Sequence, residues 1–213
     1  MSPSACHRFD AASSAFVPAI MCALALCAGC GVNPAIRPVG PVTVVVAFGD
    51  SLTAGTGAAA GESYPEVLSG MIGCKVVNAG VPGEVTAGGL ARLPGLLEKE
   101  SPRLVILCHG GNDMLNKLTR QETVANLDAM IAMARGAGAD VILVGVPEPG
   151  LLLKAAPFYG ELAARHRIPY ESGALAKILS SRSLKSDYVH PNAAGYRRLA
   201  GSIAELINKS AHR

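Results

Sequence analysis

A run of β-branched and apolar residues at positions 42–48 (VTVVVAF) constrains the fold of this chain more than any other feature. Because consecutive residues of the run are apolar, both faces of the strand must be buried, as at the centre of a parallel sheet. Similar short runs recur at residues 74–77, 104–108 and 141–146, and a short edge strand is expected at residues 168–170. The sequence therefore predicts a parallel sheet built from regularly spaced strands.

Helical patterns fill the intervals between these strands. Helices are expected over residues 62–71, 84–100, 158–166 and 192–209, the second of them interrupted at Pro94. Another begins at Thr119, where Thr119 and Glu122 form a capping box. Strand followed by helix, repeated along the chain, requires right-handed crossovers that cover both faces of the sheet. We therefore expect an α/β fold of three layers (α/β/α), with a flavodoxin-like parallel sheet in strand order 2-1-3-4-5.

The first 29 residues are predicted to be a signal peptide rather than part of the fold. Residues 15–29 are uncharged and mostly apolar, but the run is shorter than the roughly 20 residues that a membrane-spanning helix needs. It ends in Ala28-Gly29-Cys30, which resembles a bacterial lipoprotein signal, with two small residues before the cysteine that receives lipid. Cys27 departs from that pattern, where leucine is usual. The alternatives are an ordinary signal peptide, cut near Ala28 or Gly29, and an uncleaved anchor.

The resemblance implies three segments and a location. Lipid is expected on Cys30, residues 30–41 are expected to be a tether, and residues 42–213 are expected to form one domain. The protein would then be held at a membrane of the cell envelope. In a Gram-negative cell it would face the periplasm or lie at the outer membrane, because Gly31 stands where the inner-membrane retention signal has aspartate.

Composition excludes several function classes. The formal net charge of +3, without any block of like charges, does not provide the basic face that nucleic acid requires. The chain has no tryptophan and only nine other aromatic residues, five tyrosines and four phenylalanines. This composition argues against a sugar-binding cleft lined by aromatic side chains. Histidines and acidic residues do not cluster at metal-ligand spacing, so we expect neither a metal nor another cofactor. Beyond the leader and Cys30, only Cys74 and Cys108 remain, and both are predicted to be buried thiols.

Four polar motifs carry the chemistry of the chain, three directly after strands and one near the C-terminus. They are GDSL at residues 49–52, NAG at 78–80, GGND at 110–113 and DYVHPN at 187–192. In this order they resemble the SGNH (GDSL) hydrolase superfamily, and the resemblance extends from residue 42 to the last helix. Residues 89–94 (GLARLP), 146–150 (VPEPG) and 183–187 (SLKSD) also resemble its arylesterase and lysophospholipase-like branch.

The expected topology brings two of these residues together without reference to any family. In an open parallel sheet, ligands bind beyond the carboxyl ends of the strands, where the strand order reverses. Ser51 follows the first strand and Asn112 the third, so both line one crevice. Ser51 is the predicted nucleophile, which needs a base to remove its proton. His190 is the predicted base, and Asp187 would orient its ring.

The family resemblance further implies an oxyanion hole made of the backbone N–H of Ser51, the backbone N–H of Gly80 and the side-chain amide of Asn112. Purely structural alternatives exist for each position: a helix cap at Ser51, a turn glycine at Gly80, a loop cap at Asn112 and a surface histidine at His190. His109 adjoins the Asn112 loop and is expected to support it rather than to react.

We expect a serine ester hydrolase that cleaves acyl or aryl esters of small molecules through an acyl-serine intermediate, with thioesters and lysophospholipids as further candidate substrates. An apolar rim, expected to consist of Met114, Leu115, Leu151, Leu152, Leu153, Ala155 and Ala156, favours apolar groups over sugars. These leucines equally fit packing against the next helix. The G-x-S-x-G elbow of α/β-hydrolases is absent. The alternatives are a carbohydrate O-deacetylase acting on envelope polysaccharide and a non-catalytic lipoprotein that binds lipid or glycan.

Overall fold

The computed structural model of the chain describes residues 34–150 and 152–211. The predicted signal peptide, Cys30 and Leu151 of the predicted apolar rim therefore lie outside the described residues. Within the described ranges, no helix combines the length and the apolar character needed to cross a membrane.

A five-stranded sheet with order β2-β1-β3-β4-β5 forms the centre of the domain, and every neighbouring pair of strands is parallel. The strands are β1 (Val44–Gly49), β2 (Lys75–Gly80), β3 (Leu104–Cys108), β4 (Asp140–Val144) and β5 (Tyr170–Glu171). The predicted fold class and strand order are confirmed. The central strand β3 is buried throughout, whereas edge strand β2 is partly exposed, because helices cover the middle of the sheet more completely than its rim.

Helices cover both faces of the sheet. They are α1 (Ser51–Ala54), α2 (Tyr64–Ile72), α3 (Thr86–Glu100), α4 (Gly111–Leu115), α5 (Arg120–Gly136), α6 (Pro157–His166), α7 (Ala174–Ser180) and α8 (Ala193–Ala211), with a 3-10 turn at Arg182–Leu184. On one face α2 packs against α8, and on the other α3 packs against α5. The helices α1, α4 and α7 were not predicted, because such short segments do not display a helical period.

Local sequence signals explain where the longer helices begin and how they continue. Thr119 caps α5, its side chain accepting from the backbone N–H of Glu122, as predicted. Asn192 starts α8, its side-chain oxygen accepting from the backbone N–H of Gly195 at 3.0 Å. The predicted interruption of α3 at Pro94 is wrong, since the helix runs through this proline. Buried Leu93 and Leu97 anchor the helix on both sides of it, so burial outweighs the lost hydrogen bond.

The domain begins earlier than the expected boundary at residue 42. Ile36 is buried, and its backbone N–H donates to the carbonyl of Ser210 at 3.2 Å, near the end of α8. Arg37 pairs with Asp140 at 2.9 Å. The second half of the predicted tether therefore packs on the domain, because one apolar side chain and one ion pair anchor it there.

Candidate active site

Ser51 lies at the carboxyl end of β1, as the first residue of α1. Asp50 fixes this turn, because its Oδ1 accepts from the backbone N–H of Leu52 at 3.0 Å and its carbonyl accepts from Thr53 and Ala54. Burial raises the pKa of the Asp50 carboxyl. Asp50 therefore has a structural role in this turn, which presents the Ser51 hydroxyl at the end of the sheet.

The structure brings Ser51, His190 and Asp187 together. The Oγ of Ser51 lies 3.0 Å from Nε2 of His190, and the Nδ1–H of His190 donates to Oδ2 of Asp187 at 2.8 Å. Because a carboxylate only accepts, the bond to Asp187 places the ring proton on Nδ1 and leaves Nε2 free to receive the serine proton. The histidine side chain is 18% exposed. A nucleophile, a base and an orienting carboxylate thus form one hydrogen-bonded chain.

The electrostatics of Asp187 favour its charged form. Burial acts to raise the pKa of this carboxyl, but hydrogen bonds from the His190 ring and from the backbone N–H groups of Val189 and His190 outweigh it, and the pKa is held below its ordinary value. Both backbone bonds are 2.8 Å long. Asp187 is therefore negative at neutral pH, where it stabilises an imidazolium on the neighbouring ring.

The loop that carries His190 is fixed at both ends. Before the histidine, the Nζ of Lys185 donates to the carbonyl of Leu179 at 2.8 Å, and the backbone N–H of Ser186 donates to the carbonyl of His190 at 3.0 Å. After it, the side chain of Asn192 donates to the carbonyl of Ser183 at 3.0 Å. These bonds close the loop on itself, so the imidazole is held in place before substrate arrives.

Of the two other predicted oxyanion donors, Asn112 reaches the cavity and Gly80 does not. Asn112 lies in α4, directly after β3, and lines the same cavity as Ser51. The backbone N–H of Gly80 instead donates to Oδ1 of Asn78 at 3.0 Å, and a Cβ at Gly80 would collide with the backbone of Ala54. The physical reason is that β2 continues to Gly80, so this residue is packed within the sheet rather than in the loop beyond it.

A cavity of about 830 Å³ opens beside Ser51, Asn112 and His190. Most of its other walls are apolar and include Leu115, Val146, Leu152, Leu153, Leu179, Tyr188 and Val189. The predicted rim is therefore correct for Leu115, Leu152 and Leu153. It is wrong for Met114, which packs against the core, for Ala155, which does not line the cavity, and for Ala156, which is fully buried. Nothing in the described ranges gathers three or more metal-ligating side chains into a metal site.

Residues 47–198 match the GDSL-like Lipase/Acylhydrolase family. The chain belongs to this family. The match covers most of the chain and contains every residue of the Ser51–His190–Asp187 arrangement. This protein is therefore an ester hydrolase of the GDSL type.

Relatives of this GDSL hydrolase carry esterase names. The chain is 30% identical over 168 residues to the Thioesterase 1/protease 1/lysophospholipase L1 of Escherichia coli (strain K12), covering 75% of this chain and 81% of that protein. It is 33% identical over 176 residues to an arylesterase of Vibrio mimicus, covering 78% and 88%. A crystal structure of TesA superposes with a TM-score of 0.70 at 28% identity, covering 78% of this chain and 99% of TesA. The fold and the family are thus supported by both sequence and structure.

Sequence reasoning missed Glu84 and Arg92, which join His109, the expected support of the Asn112 loop. Glu84 accepts from the side chain of Asn112 through its backbone carbonyl, at 2.9 Å. The carboxylate of Glu84 in turn binds Arg92 and His109. The available signal was Arg92 within the otherwise apolar GLARLP segment, where a charge needs a partner.

Proposed function

We propose that this GDSL hydrolase cleaves carboxylic esters of apolar acyl or aryl groups through an acyl-serine intermediate on Ser51. The observation that carries the proposal is the chain of hydrogen bonds from Ser51 to His190 at 3.0 Å and from His190 to Asp187 at 2.8 Å, at the wall of an apolar cavity. A serine with an oriented base is the arrangement that activates a hydroxyl nucleophile.

The proposed reaction has two halves. As Ser51 Oγ attacks the ester carbon, Nε2 of His190 takes the hydroxyl proton, and the negative charge of Asp187 stabilises the imidazolium. The tetrahedral intermediate collapses, the C–O bond to the alcohol breaks, and His190 returns the proton to the leaving oxygen. Water then attacks the acyl-serine while His190 removes a water proton. Collapse releases the carboxylic acid and returns the proton to Ser51.

The proposed oxyanion donors are the backbone N–H of Ser51, the side-chain amide of Asn112 and the backbone N–H of Gly83 in place of Gly80. Ser51 begins α1, where backbone N–H groups have no acceptor within the helix. Gly83 has a φ of +79° in the exposed loop after β2 and directly precedes Glu84, whose carbonyl holds Asn112. The loop therefore brings its backbone beside the Asn112 amide.

Substrate preference is proposed from the walls of the cavity. Apolar side chains next to Ser51 favour burial of an acyl chain or aromatic ring. The arylesterase and lysophospholipase names of the relatives are consistent with this chemistry, so aryl esters, thioesters and lysophospholipids are the substrate classes to test first.

A kinetic panel tests the proposal. The described domain is assayed on p-nitrophenyl esters from acetyl upward and on an acetylated polysaccharide, with Ser51→Ala as the inactive control. We expect turnover of the aryl esters and labelling of Ser51 by a serine-directed fluorophosphonate. Turnover of the polysaccharide alone would favour the O-deacetylase. The absence of both turnover and labelling would favour a binding protein and refute the proposal.

We also propose that Cys30 carries a lipid that holds the enzyme at a membrane of the cell envelope. Ile36 already packs on the domain, so the five intervening residues, which make six steps along the chain, hold the domain within about 20 Å of the modified cysteine. Metabolic labelling with a fatty acid should mark the full chain and the control Cys27→Ala, but not Cys30→Ala. Equal labelling of all three proteins, or none of them, contradicts the proposal.

A further inference from the structure

A cluster of three charged or polar side chains lies beneath the loops of the active site. Arg92 donates to the Glu84 carboxylate through Nε at 2.7 Å and through a terminal nitrogen at 2.7 Å, and Nε2 of His109 lies 3.1 Å from the same carboxylate. The side chains of His109, Glu84 and Arg92 are 0%, 10% and 28% exposed. Bonds of this kind inside a protein are strong and geometrically specific.

Arg92 ties the cluster to the ends of two strands. Its terminal nitrogen donates to the carbonyl of Gly49 at 3.2 Å and to the carbonyl of Ala79 at 2.9 Å. Its guanidinium also lies over the ring of Phe48, 4.0 Å from the centroid. Gly49 lies two residues before Ser51, and Ala79 lies four residues before Gly83. The Arg92 side chain therefore fixes the starts of the two loops that carry Ser51 and Gly83.

His109 ties the cluster to the loop after β3. Its Nδ1 accepts from the backbone N–H of Gly110 at 2.9 Å, which leaves the ring proton on Nε2 for donation to Glu84. The ring fits because Gly89 of α3 has no side chain, and a Cβ there would contact Nε2. His109 is three residues before Asn112, so it holds the start of the segment that carries the amide.

Glu84 joins this cluster directly to the proposed oxyanion hole. Its carboxylate binds Arg92 and His109, while its backbone carbonyl accepts from Nδ2 of Asn112 at 2.9 Å. Because a carbonyl oxygen only accepts hydrogen bonds, the NH2 end of the Asn112 amide faces it, and the second N–H of that group points elsewhere. We propose that Glu84, held by Arg92 and His109, is a positioning residue that orients the Asn112 amide toward the oxyanion, an inference that rests on the proposed function.

Kinetics of Glu84→Gln and His109→Leu test the positioning role. Displacing a preorganised donor by about 1 Å costs up to about 100-fold in rate, so we expect kcat to fall by roughly 10- to 100-fold with KM within about twofold. His109→Gln, which retains a donor for Glu84, should recover most of kcat relative to His109→Leu. A fall in kcat/KM that arises from KM alone overturns the inference.

A matched control separates positioning from general stability. Glu100 is also a glutamate in an ion pair, 3.1 Å from Lys75, but both residues lie at the opposite end of the sheet from Ser51. Glu100→Gln should keep wild-type kcat, and thermal melting of each variant checks that it is folded at the assay temperature. If Glu84→Gln and His109→Leu retain the kcat of Glu100→Gln, the inference is overturned.

An NMR measurement tests the same geometry without catalysis. The side-chain amide signals of Asn112, assigned by their loss in Asn112→Ala, should shift in Glu84→Gln and stay in place in Glu100→Gln. If the Asn112 signals do not shift in Glu84→Gln, the inference is overturned whether or not the protein hydrolyses esters. If they shift, but the wild type neither turns over esters nor labels at Ser51, the orientation of the amide is supported and only the proposed function is refuted.

Discussion

Replacing Asn112 with alanine separates catalysis from folding more cleanly than any other single change. The side chain lines the cavity and makes one hydrogen bond within the described residues, to the carbonyl of Glu84 at 2.9 Å. Removing one preorganised oxyanion donor costs about 2.7–4 kcal/mol of barrier. Since about 1.4 kcal/mol is tenfold in rate, we expect kcat to fall by about 100- to 1,000-fold.

The same change should leave the domain folded. Losing the hydrogen bond costs about 0.5–1.5 kcal/mol where water replaces the donor, and about 1–3 kcal/mol where the Glu84 carbonyl is left unpaired. Each kcal/mol lowers the Tm of a domain of this size by roughly 2–4 °C. Asn112→Ala should therefore remain folded at assay temperature, so unfolding cannot account for the lost activity.

The assay compares kcat, KM and thermal melting of wild type, Asn112→Ala and Asn126→Ala. Asn126 is also half-buried and donates one side-chain bond, to Thr86 Oγ1 at 3.0 Å, but it lies on α5 and does not line the cavity. The control should melt earlier and keep kcat within about twofold. If Asn112→Ala keeps a kcat equal to that of the control, or changes KM alone, Asn112 stabilises no oxyanion.

Three further predictions concern the carboxylates and the cavity wall. Asp187→Asn should lower kcat by about 100- to 10,000-fold, because an amide neither fixes the tautomer nor stabilises the imidazolium; Asp140→Asn, which removes an ion pair with Arg37, should leave kcat unchanged. Burial acts to raise the pKa of Glu84, but hydrogen bonds from Arg92 and His109 outweigh it, so the pKa is lowered. The charged carboxylate therefore stabilises the fold at pH values above the ordinary glutamate pKa of about 4.3. This contribution is lost as the pH falls through the lower pKa of the folded state. The difference in urea-derived unfolding free energy between wild type and Glu84→Gln should therefore shrink as the pH falls below the ordinary glutamate pKa. A difference that grows on acidification contradicts the sign. Leu152→Asp should lower kcat/KM for octanoyl esters by about fivefold or more and leave acetyl esters unchanged, and equal losses for both chain lengths would exclude Leu152 from the acyl site.

The topology was predictable because its signals are local and repeated. Each strand is a short apolar run, each long helix has a period or a cap, and the handedness of the crossovers leaves few sheet orders. The unpredicted features depend on tertiary contacts instead. Burial of Leu93 and Leu97 carries α3 through Pro94, and Ile36 joins the core only because the end of α8 lies beside it.

The two halves of the site differ in the same way. Asp187 and His190 are three residues apart, so one turn places both, and the sheet order brings Ser51 to them. The position of Gly80 depended on the exact residue at which β2 ends, and strand ends are the least certain feature of a sequence pattern. An error of a few residues there separates a glycine packed in the sheet from one in the loop beside Asn112.

The Glu84–Arg92–His109 cluster connects the distant segments from which the proposed oxyanion hole is built. A buried ion pair contributes little net stability, because desolvation of the charges offsets their attraction. Its geometric value is larger, since the fork of Arg92 holds two strand ends and one carboxylate at once. Three loops that diverge from separate strands have no common backbone to align them. A cluster that touches all three supplies that alignment before substrate binds, which is the condition under which an oxyanion donor accelerates a reaction.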